Sequence, residues 1–354
     1  MSSRIVATVL EASEMGVNIG GLVEAREVKL TDLSGRVIGL DGHNVAYQFL
    51  AKIRKSGTGE SLIDKKGRVT SHLSGILYRT SNLVETGIKP LFVWDGKPPT
   101  LKERTIRERR TIREEAGKRW VEALKRGEEA IVYAQAASKL TPEMIMEAIK
   151  LLDYMGIPSV QAPSEGEAQL AVMVGKGDIW AGASQDWDNI LFGSPRLVRN
   201  LSITGQRKIP KKNVYVDVKP EIVELDNVLS SLEITRDQLI IVGILVGTDY
   251  NPGVKGIGPK TALRLVKEHK TLDRVLANVK WESDVNAEKV FNFFLDPPAT
   301  KAYEVRWKEP NTDKIVELMV EEHDFSRSRV EKVMKSLRGS FLTNKEKSLE
   351  DFFS

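Results

Sequence analysis

The sequence predicts an α/β fold in which helices flank a mostly parallel central sheet. Short apolar runs bounded by turn-forming residues, at 36–40, 91–94 and 179–184, are typical of buried strands. The stretches between them show helical patterns long enough for the crossover connections that parallel strands require. The chain has 354 residues, enough for two or three cores or for one core with large insertions. It contains no cysteine, which excludes a disulfide framework and thiolate chemistry.

Helices are predicted at 45–54, 71–85 and 142–155, in the order in which they follow the strands. In the third, Thr141 is expected to cap the helix, Pro142 suits its first turn and Gly156 is expected to end it. The longest apolar stretch, 238–247, is much shorter than the roughly 18 residues of a membrane span, so no membrane association is expected.

Positive charge is concentrated in one segment. The whole chain has a net charge of +4, whereas residues 97–126 contain eleven Lys and Arg against five Glu. Few positions there are apolar, which predicts a basic helix projecting into solvent. Lys102 and Arg109 lie seven residues apart and therefore on one helix face. A solvated helix with internal ion pairs is the alternative interpretation.

Acidic residues follow the predicted strands. Carboxyl ends of parallel strands meet at one sheet edge, where ligands bind, and carboxylates there can hold two divalent cations for phosphodiester hydrolysis. A single Asp after a strand more often caps a helix; residues 164–167 match a capping box, and 186–188 could form an Asx turn. Convergence of so many carboxylates from independent elements favours the metal site. The candidate residues are Asp41, Asp95, Glu165, Glu167, Asp186, Asp188 and Asp249.

A second pattern, at 236–270, predicts a helix-hairpin-helix. An apolar helix at 237–246 is followed by a glycine-rich turn and a new helix starting at Pro259. Gly256 and Gly258 allow close approach of a phosphate to the backbone, and Lys255 and Lys260 lie beside them. DNA binding without base reading is the functional interpretation, and a purely structural turn is the alternative.

At these residues the chain resembles the flap endonucleases, the structure-specific 5′ nucleases of replication and repair, and most of all their archaeal members. The resemblance runs from Met15 to the C-terminal tail. Its motifs are Gly39-Leu40-Asp41, residues 92–99 (Phe-Val-Trp-Asp-Gly-Lys-Pro-Pro), 162–168 (Ala-Pro-Ser-Glu-Gly-Glu-Ala), 186–188 (Asp-Trp-Asp) and 247–250 (Gly-Thr-Asp-Tyr).

The resemblance implies two Mg²⁺ ions, with Mn²⁺ as a substitute. One ion is assigned to Asp41, Asp95, Glu165 and Glu167, and the other to Asp186, Asp188 and Asp249. It also implies an inserted helical arch at 97–140, over the site, on which Lys102 and Arg109 contact the scissile phosphate. Tyr47 is implied to stack near that phosphate, although from the residues alone Tyr47 fits a core position equally well. K⁺ is a candidate ion at the helix-hairpin-helix. The tail resembles a sliding-clamp binding motif anchored by Leu349, Phe352 and Phe353, with Glu346 where the motif usually has Gln.

The expected organisation is a nuclease domain at 15–335 and a clamp-binding tail at 336–354. Residues 1–14 have no counterpart in the family, so Met15 is the expected natural start. The expected activity is Mg²⁺-dependent cutting of a 5′ flap near its junction with duplex DNA, leaving a 5′-phosphate, with accompanying 5′–3′ exonuclease activity.

The expected substrates are flapped or nicked duplex DNA, and the protein is expected to be a monomer. Its expected location is the cytoplasm, with the nucleoid, or the nucleus in a eukaryote. The alternatives are a 5′ exonuclease or bubble-cutting nuclease, a small RNase of similar architecture, and a non-enzymatic DNA-binding module tethered to the clamp.

Overall fold

The computed structural model describes residues 17–55, 59–126, 131–203, 205–208 and 215–353. Within them a seven-stranded sheet is flanked by helices, as the sequence predicts. The strands are β1 (Arg26–Glu27), β2 (Val37–Asp41), β3 (Lys89–Trp94), β4 (Ser159–Gln161), β5 (Ala181–Ala183), β6 (Arg196–Arg199), β7 (Gly205–Lys208), β8 (Tyr215–Val218) and β9 (Glu221–Glu224). The sheet order is β1-β9-β6-β5-β2-β3-β4, and β7 and β8 form a separate antiparallel pair.

Five neighbouring strands of the large sheet, from β6 through β5, β2 and β3 to β4, run parallel. The edge beyond β6 is antiparallel, because β9 pairs with β6 and β1 pairs with β9 in that sense. The predicted runs at 36–40, 91–94 and 179–184 correspond to β2, β3 and β5. All three lie side by side in the parallel part.

The helices connect these strands and form the outer layers. They are α1 (Gly42–Lys52), α2 (Ser71–Glu85), α3 (Glu103–Arg126), α4 (Ile131–Ala136), α5 (Pro142–Tyr154), α6 (Gly166–Gly175), α7 (Asp188–Leu191), α8 (Leu225–Leu232), α9 (Arg236–Val246), α10 (Pro259–His269), α11 (Leu272–Ala277), α12 (Ala287–Leu295), α13 (Thr312–Val316) and α14 (Arg327–Phe353). The predicted cap of α5 is confirmed, because the Thr141 hydroxyl accepts a hydrogen bond from the backbone N–H of Met144. Gly156, with φ of +72°, follows its end.

Alternation along β3 divides the apolar side chains between two faces of the sheet. Phe92 and Trp94 enter a large core with residues of α1, α2, α5 and α14. Leu91 and Val93 point to the other face and pack against α6. A further core joins the short α7 to α9, α10 and α12. In the described part of the chain the sheet is therefore covered on both faces.

The predicted helical arch is formed by α3 and α4, preceded by the 3-10 turn Thr100–Lys102. The long helix α3 buries only Ala116 and Ala123, which agrees with a basic helix that projects into solvent. Residues 127–130 between the two helices lie outside the described residues.

The C-terminal helix α14 crosses the predicted boundary at 335, and Leu337 packs in the large core with 2% of its surface exposed. The packed part of the chain therefore extends at least to Leu337. The side chains of Leu349, Phe352 and Phe353, and residues 1–14, lie outside the described part of the chain, so the clamp anchor and the start at Met15 stay predictions. In that part, none of the helices has the length and apolar character needed to span a membrane.

Candidate active site

The parallel strands deliver six of the seven predicted carboxylates to one edge of the sheet. Asp41 is the last residue of β2 and Asp95 directly follows β3. After β4, Glu165 precedes α6 and Glu167 lies in its first turn; after β5, Asp186 lies in the connection and Asp188 begins α7. The seventh, Asp249, lies in the turn after α9 and reaches the same site, because Lys102 pairs with both Asp249 and Glu165. The tertiary structure thus brings together the residues that the sequence selected.

Hydrogen bonds from the backbone hold three of these side chains. One carboxylate oxygen of Asp41 accepts a bond of 3.0 Å from the N–H of Asn44, so Asp41 also caps α1. Asp95 Oδ1 lies 2.6 Å from the N–H of Gly166. A Cβ at position 166 would lie 2.9 Å from that oxygen, so a glycine is needed for this approach. Asp188 Oδ1 accepts a bond of 3.0 Å from the N–H of Val17.

The capping-box alternative for residues 164–167 is wrong. Helix α6 begins at Gly166 with Glu165 as its N-cap residue, and no side chain caps it. The Asx-turn alternative also fails to describe the turn after β5, because the carboxylates of Asp186 and Asp188 are held by residues distant in sequence. Glu167 is buried, and its Oε1 atom has no hydrogen-bond partner among the described residues. The Glu167 carboxylate is therefore available to an external ligand.

Burial and mutual repulsion raise the pKa values of the clustered carboxyls. Burial, together with the charge of Asp95, raises the pKa of Asp41 to about 8. Burial and the charge of Asp249 raise the pKa of Asp188 to about 7. The pKa values of Glu167 and Asp186 are raised well above the ordinary range by burial and by the neighbouring carboxylates. The site therefore concentrates more negative charge than the protein alone neutralises.

Two cationic side chains of the arch enter the cluster. Lys102 Nζ lies 2.6 Å from Glu165 Oε2 and 3.3 Å from Asp249 Oδ2. Burial alone would lower the pKa of Lys102, but the charges of Glu165 and Asp249 outweigh it and raise that pKa. Arg109 Nη2 lies 2.5 Å from Asp249 Oδ1, and the hydroxyl of Thr105 donates to the backbone oxygen of Asp249. The first turns of α3 are thereby docked on the acids.

The donor set fits hard divalent cations. All seven side chains offer carboxylate oxygens, the ligands that Mg²⁺ and Mn²⁺ prefer, and Glu167 Oε1 is buried without a partner. Among the described residues, no three acidic or histidine side chains are already arranged around one ion position. Lys102 and Arg109 form ion pairs with Glu165 and Asp249 in this arrangement. The division of the seven acids between two ions therefore stays a prediction.

Tyr47 lies half-buried on α1, outside the apolar cores of the described residues. Burial raises the pKa of its hydroxyl, although the charges of Arg113 and Arg109 act in the opposite direction. The side chain is thus close to the cations of the arch, on the helix that Asp41 caps. Its role as a stacking platform stays a prediction.

The predicted helix-hairpin-helix consists of α9, the glycine turn and α10. Gly256 has φ of +82°, a conformation that favours glycine, and Gly258 is the N-cap residue of α10. Lys255, Lys260 and both glycines are exposed. The turn and its two lysines are therefore accessible to a phosphate.

The sequence analysis missed the polar residues that hold the acids in place. Asp95 receives support from His43, whose Nδ1 accepts a bond of 3.0 Å from the Asp95 N–H. The side chain of Asn44 donates to Asp186, and Gln48 contacts Asn44 in turn. Two polar residues four apart on the buried face of an otherwise apolar helix were the signal available in the sequence.

Comparisons with known proteins place this site in context. The family model described as the XPG N-terminal domain matches residues 17–116, and the XPG I-region matches residues 156–249. A flap endonuclease 1 from Staphylothermus marinus is 52% identical over 351 residues, covering 96% of this chain and 100% of that protein. One from Thermofilum pendens is 54% identical over 345 residues, covering 96% and 99%.

Solved structures show the same relationship. The flap endonuclease-1 from Methanococcus jannaschii aligns with a TM-score of 0.73 and 37% identity, over 93% of this chain and 99% of that one. The catalytic core of Rad2 in complex with a DNA substrate aligns with a TM-score of 0.67 and 24% identity, over 90% and 97%, and shares the fold.

Proposed function

The chain belongs to the flap endonucleases and is a structure-specific 5′ flap endonuclease of DNA replication and repair, and from this premise we propose that its activity depends on Mg²⁺ and leaves a 5′-phosphate. One observation supports the proposal above all others. Seven carboxylates meet at the carboxyl edge of the parallel strands, directly under two cationic side chains of the arch. A phosphodiester with divalent cations would complete the charge balance of such a site.

The proposed ligands follow the two groups of acids. Asp41, Asp95, Glu165 and Glu167 would hold one ion, and Asp186, Asp188 and Asp249 the other, with Mn²⁺ able to replace Mg²⁺. Such ions supply Lewis-acid polarisation of the phosphodiester and lower the pKa of nearby water. The raised pKa values of the acids imply that ion binding releases protons, because ligands must be deprotonated.

Lys102 and Arg109 are proposed to bind and orient the scissile phosphate. Both side chains form ion pairs with the acids, so a phosphate that enters the site needs only to replace Glu165 and Asp249 as their partner. That exchange frees the two carboxylates at the moment when they are needed as ligands. Tyr47, on the neighbouring helix α1, is proposed to stack on a base beside the phosphate.

Contacts outside the site are proposed to hold the rest of the substrate and a partner. The exposed turn with Gly256 and Gly258 is suited to a phosphate of the duplex, with Lys255 and Lys260 beside it and K⁺ as a candidate ion. The tail at 336–354 would bind the sliding clamp. The enzyme would act as a monomer on flapped or nicked duplex DNA, and its location would be the cytoplasm, at the nucleoid.

Mapping the cut on a labelled double-flap DNA tests the proposal. With Mg²⁺ the expected result is one main product, cut near the flap junction, whose downstream end a ligase can seal because it has a 5′-phosphate. Nicked duplex reports the exonuclease activity, and products of a different length would favour the bubble-cutting alternative.

A variant of one proposed ligand sharpens this test. Asp186→Ala should abolish cutting while flap binding persists, and Asp153→Asn, an exposed position on α5, serves as the matched control. Cutting without a divalent ion, or normal turnover by Asp186→Ala, would contradict the proposal.

A further inference from the structure

A chain of buried amide and hydroxyl groups leads from the acid cluster into the interior of the fold. Asn44 and Gln48 lie one turn apart on α1, and Ser202 lies in the 3-10 turn Leu201–Ile203 after β6. The three residues are 5%, 9% and 8% exposed. They connect to Asp186 through the side chain of Asn44.

Each link of this chain has a defined donor and acceptor. The Asn44 side-chain amide donates to Asp186 Oδ2 at 3.0 Å, and Gln48 donates to Asn44 Oδ1. The Ser202 hydroxyl then donates to Gln48 Oε1 at 2.9 Å. When Asp186 is ionised, as ion binding requires, its carboxylate can only accept hydrogen bonds, so the nitrogen of Asn44 must face it. Its oxygen consequently faces Gln48, and the oxygen of Gln48 faces Ser202.

The backbone of Asn44 strengthens this arrangement. Its N–H donates to Asp41 Oδ1 at 3.0 Å while its side chain donates to Asp186. One residue thereby fixes carboxylates from two different strands, and these two acids belong to different proposed ion sites. The amide of Asn44 could rotate by half a turn only if Gln48 did not hold its oxygen.

We propose that Asn44, Gln48 and Ser202 are positioning residues that keep Asp186 oriented for ion binding. Gln48 and Ser202 act at a distance, because they set which end of the Asn44 amide faces the carboxylate. This inference rests on the proposed function of the site. Groups that orient metal ligands commonly change metal affinity by about 10- to 100-fold when removed.

A small cavity beside these three hydrogen-bonded side chains indicates which substitution should have the larger effect. It measures about 10 Å³ and is lined by Asn44, Gln48, Ser184 and Ser202, among others. That volume is close to the minimum for one water. A water there can only partly replace the hydroxyl lost in Ser202→Ala, because it is not covalently held, and no water can replace both ends of the Gln48 amide. Gln48→Met should therefore be the more severe change.

The first test measures the Mg²⁺ concentration that half-saturates single-turnover cutting, with DNA affinity measured separately in a chelator. Asn44→Leu should raise this concentration about tenfold and Gln48→Met about threefold, at unchanged DNA affinity. Ser202→Ala should have a smaller effect that Ser202→Thr restores. The matched control is Gln169→Met, because Gln169 is a fully buried glutamine bonded to the backbone of Thr300.

The second test needs no metal or activity. In protein labelled with ¹⁵N-asparagine, the side-chain NH₂ signals of Asn44 should shift in Ser202→Ala and return in Ser202→Thr. Ser194→Ala, at a buried serine bonded to the Arg196 backbone, is the control and should leave them in place. Unmoved signals in Ser202→Ala overturn the proposal even if Gln48→Met does not fold.

The two tests separate this inference from the proposed function. A wild-type protein that fails to cut with Mg²⁺ contradicts the proposed nuclease function. The Asn44 signals would still show whether Ser202 and Gln48 orient the Asn44 amide. If the wild type cuts and Gln48→Met needs no more Mg²⁺ than the control Gln169→Met, the positioning role is wrong.

Discussion

Replacing Lys102 by Met tests whether the arch cations substitute for metal in holding the acid cluster together. The change keeps an unbranched side chain of similar length and removes the ammonium group. Lys102 is 16% exposed at its side chain, and its partners Glu165 and Asp249 are 10% and 12% exposed. Removing one partner of a pair this buried costs about 3–5 kcal/mol, because the remaining charges lose their compensation.

The expected change in melting temperature follows from the size of the chain. At roughly 2.1 cal/mol/K per residue, unfolding 354 residues has an entropy of about 0.7 kcal/mol/K. Without metal, Lys102→Met should therefore melt about 4–7 °C below the wild type. The crowded acids have raised pKa values and can take up protons, which removes part of the uncompensated negative charge. The decrease in melting temperature should therefore lie near the smaller of the two values. Mg²⁺ supplies the missing positive charge and should reduce the difference to less than about 2 °C.

The assay measures the melting temperature by calorimetry, first with a chelator and then with millimolar Mg²⁺. Lys118→Met is the control, since Lys118 lies exposed on the same helix and should change the melting temperature by less than about 1 °C. Two results would refute the reasoning. One is a melting temperature of Lys102→Met in chelator that equals that of the control Lys118→Met. The other is a decrease in melting temperature that Mg²⁺ does not reduce.

Three further predictions concern the phosphate contact, the pH dependence of stability and the tail. Arg109→Ala should lower the single-turnover rate about 100-fold, because a charged donor at the reacting phosphate is lost, whereas Arg110→Ala should change it less than about twofold. The ring nitrogens of buried His323 and His72 lie 3.3 and 3.6 Å from the Glu147 carboxylate and lower its pKa to about 2. The stabilising contribution of Glu147, about 2 kcal/mol, is therefore present above its ordinary pKa and is lost as pH falls from about 4.5 to 2. Glu147→Gln should flatten that decline in stability measured with denaturant. Deleting 346–354 should spare cutting of a free flap and abolish its stimulation by the sliding clamp.

Each of these has its own control and its own contradicting result. Equal rates for Arg109→Ala and Arg110→Ala would mean that the arch supplies only diffuse attraction, since Arg110 is exposed and pairs with Glu114 on its own helix. Asp153→Asn, on the same helix as Glu147, should keep the acid decline, and an unchanged decline in Glu147→Gln would rule out that carboxyl as its source. Persistent stimulation of the shortened chain would place the clamp contact elsewhere.

Local sequence was sufficient for the parts of the fold that depend on periodicity and chain connection. The apolar runs at 36–40 and 91–94 could pair only as parallel strands once helices followed them, and the acids after them then had to share one sheet edge. The helix-hairpin-helix was equally predictable, because glycine conformation and helix capping act over a few residues.

Only the tertiary structure determines which residues hydrogen-bond to those acids and how far their pKa values are raised. Asp188 is bonded to Val17 across 171 residues of sequence, and Ser202 reaches Gln48 across 154. Contacts of this kind arise only after the sheet has packed against its helices. The raised pKa values have the same origin, because burial removes water from carboxyls that their own sequence neighbours leave solvated. Spacing in the sequence can place a carboxylate at a strand end, but only packing sets its partners, its dielectric surroundings and therefore its affinity for a cation.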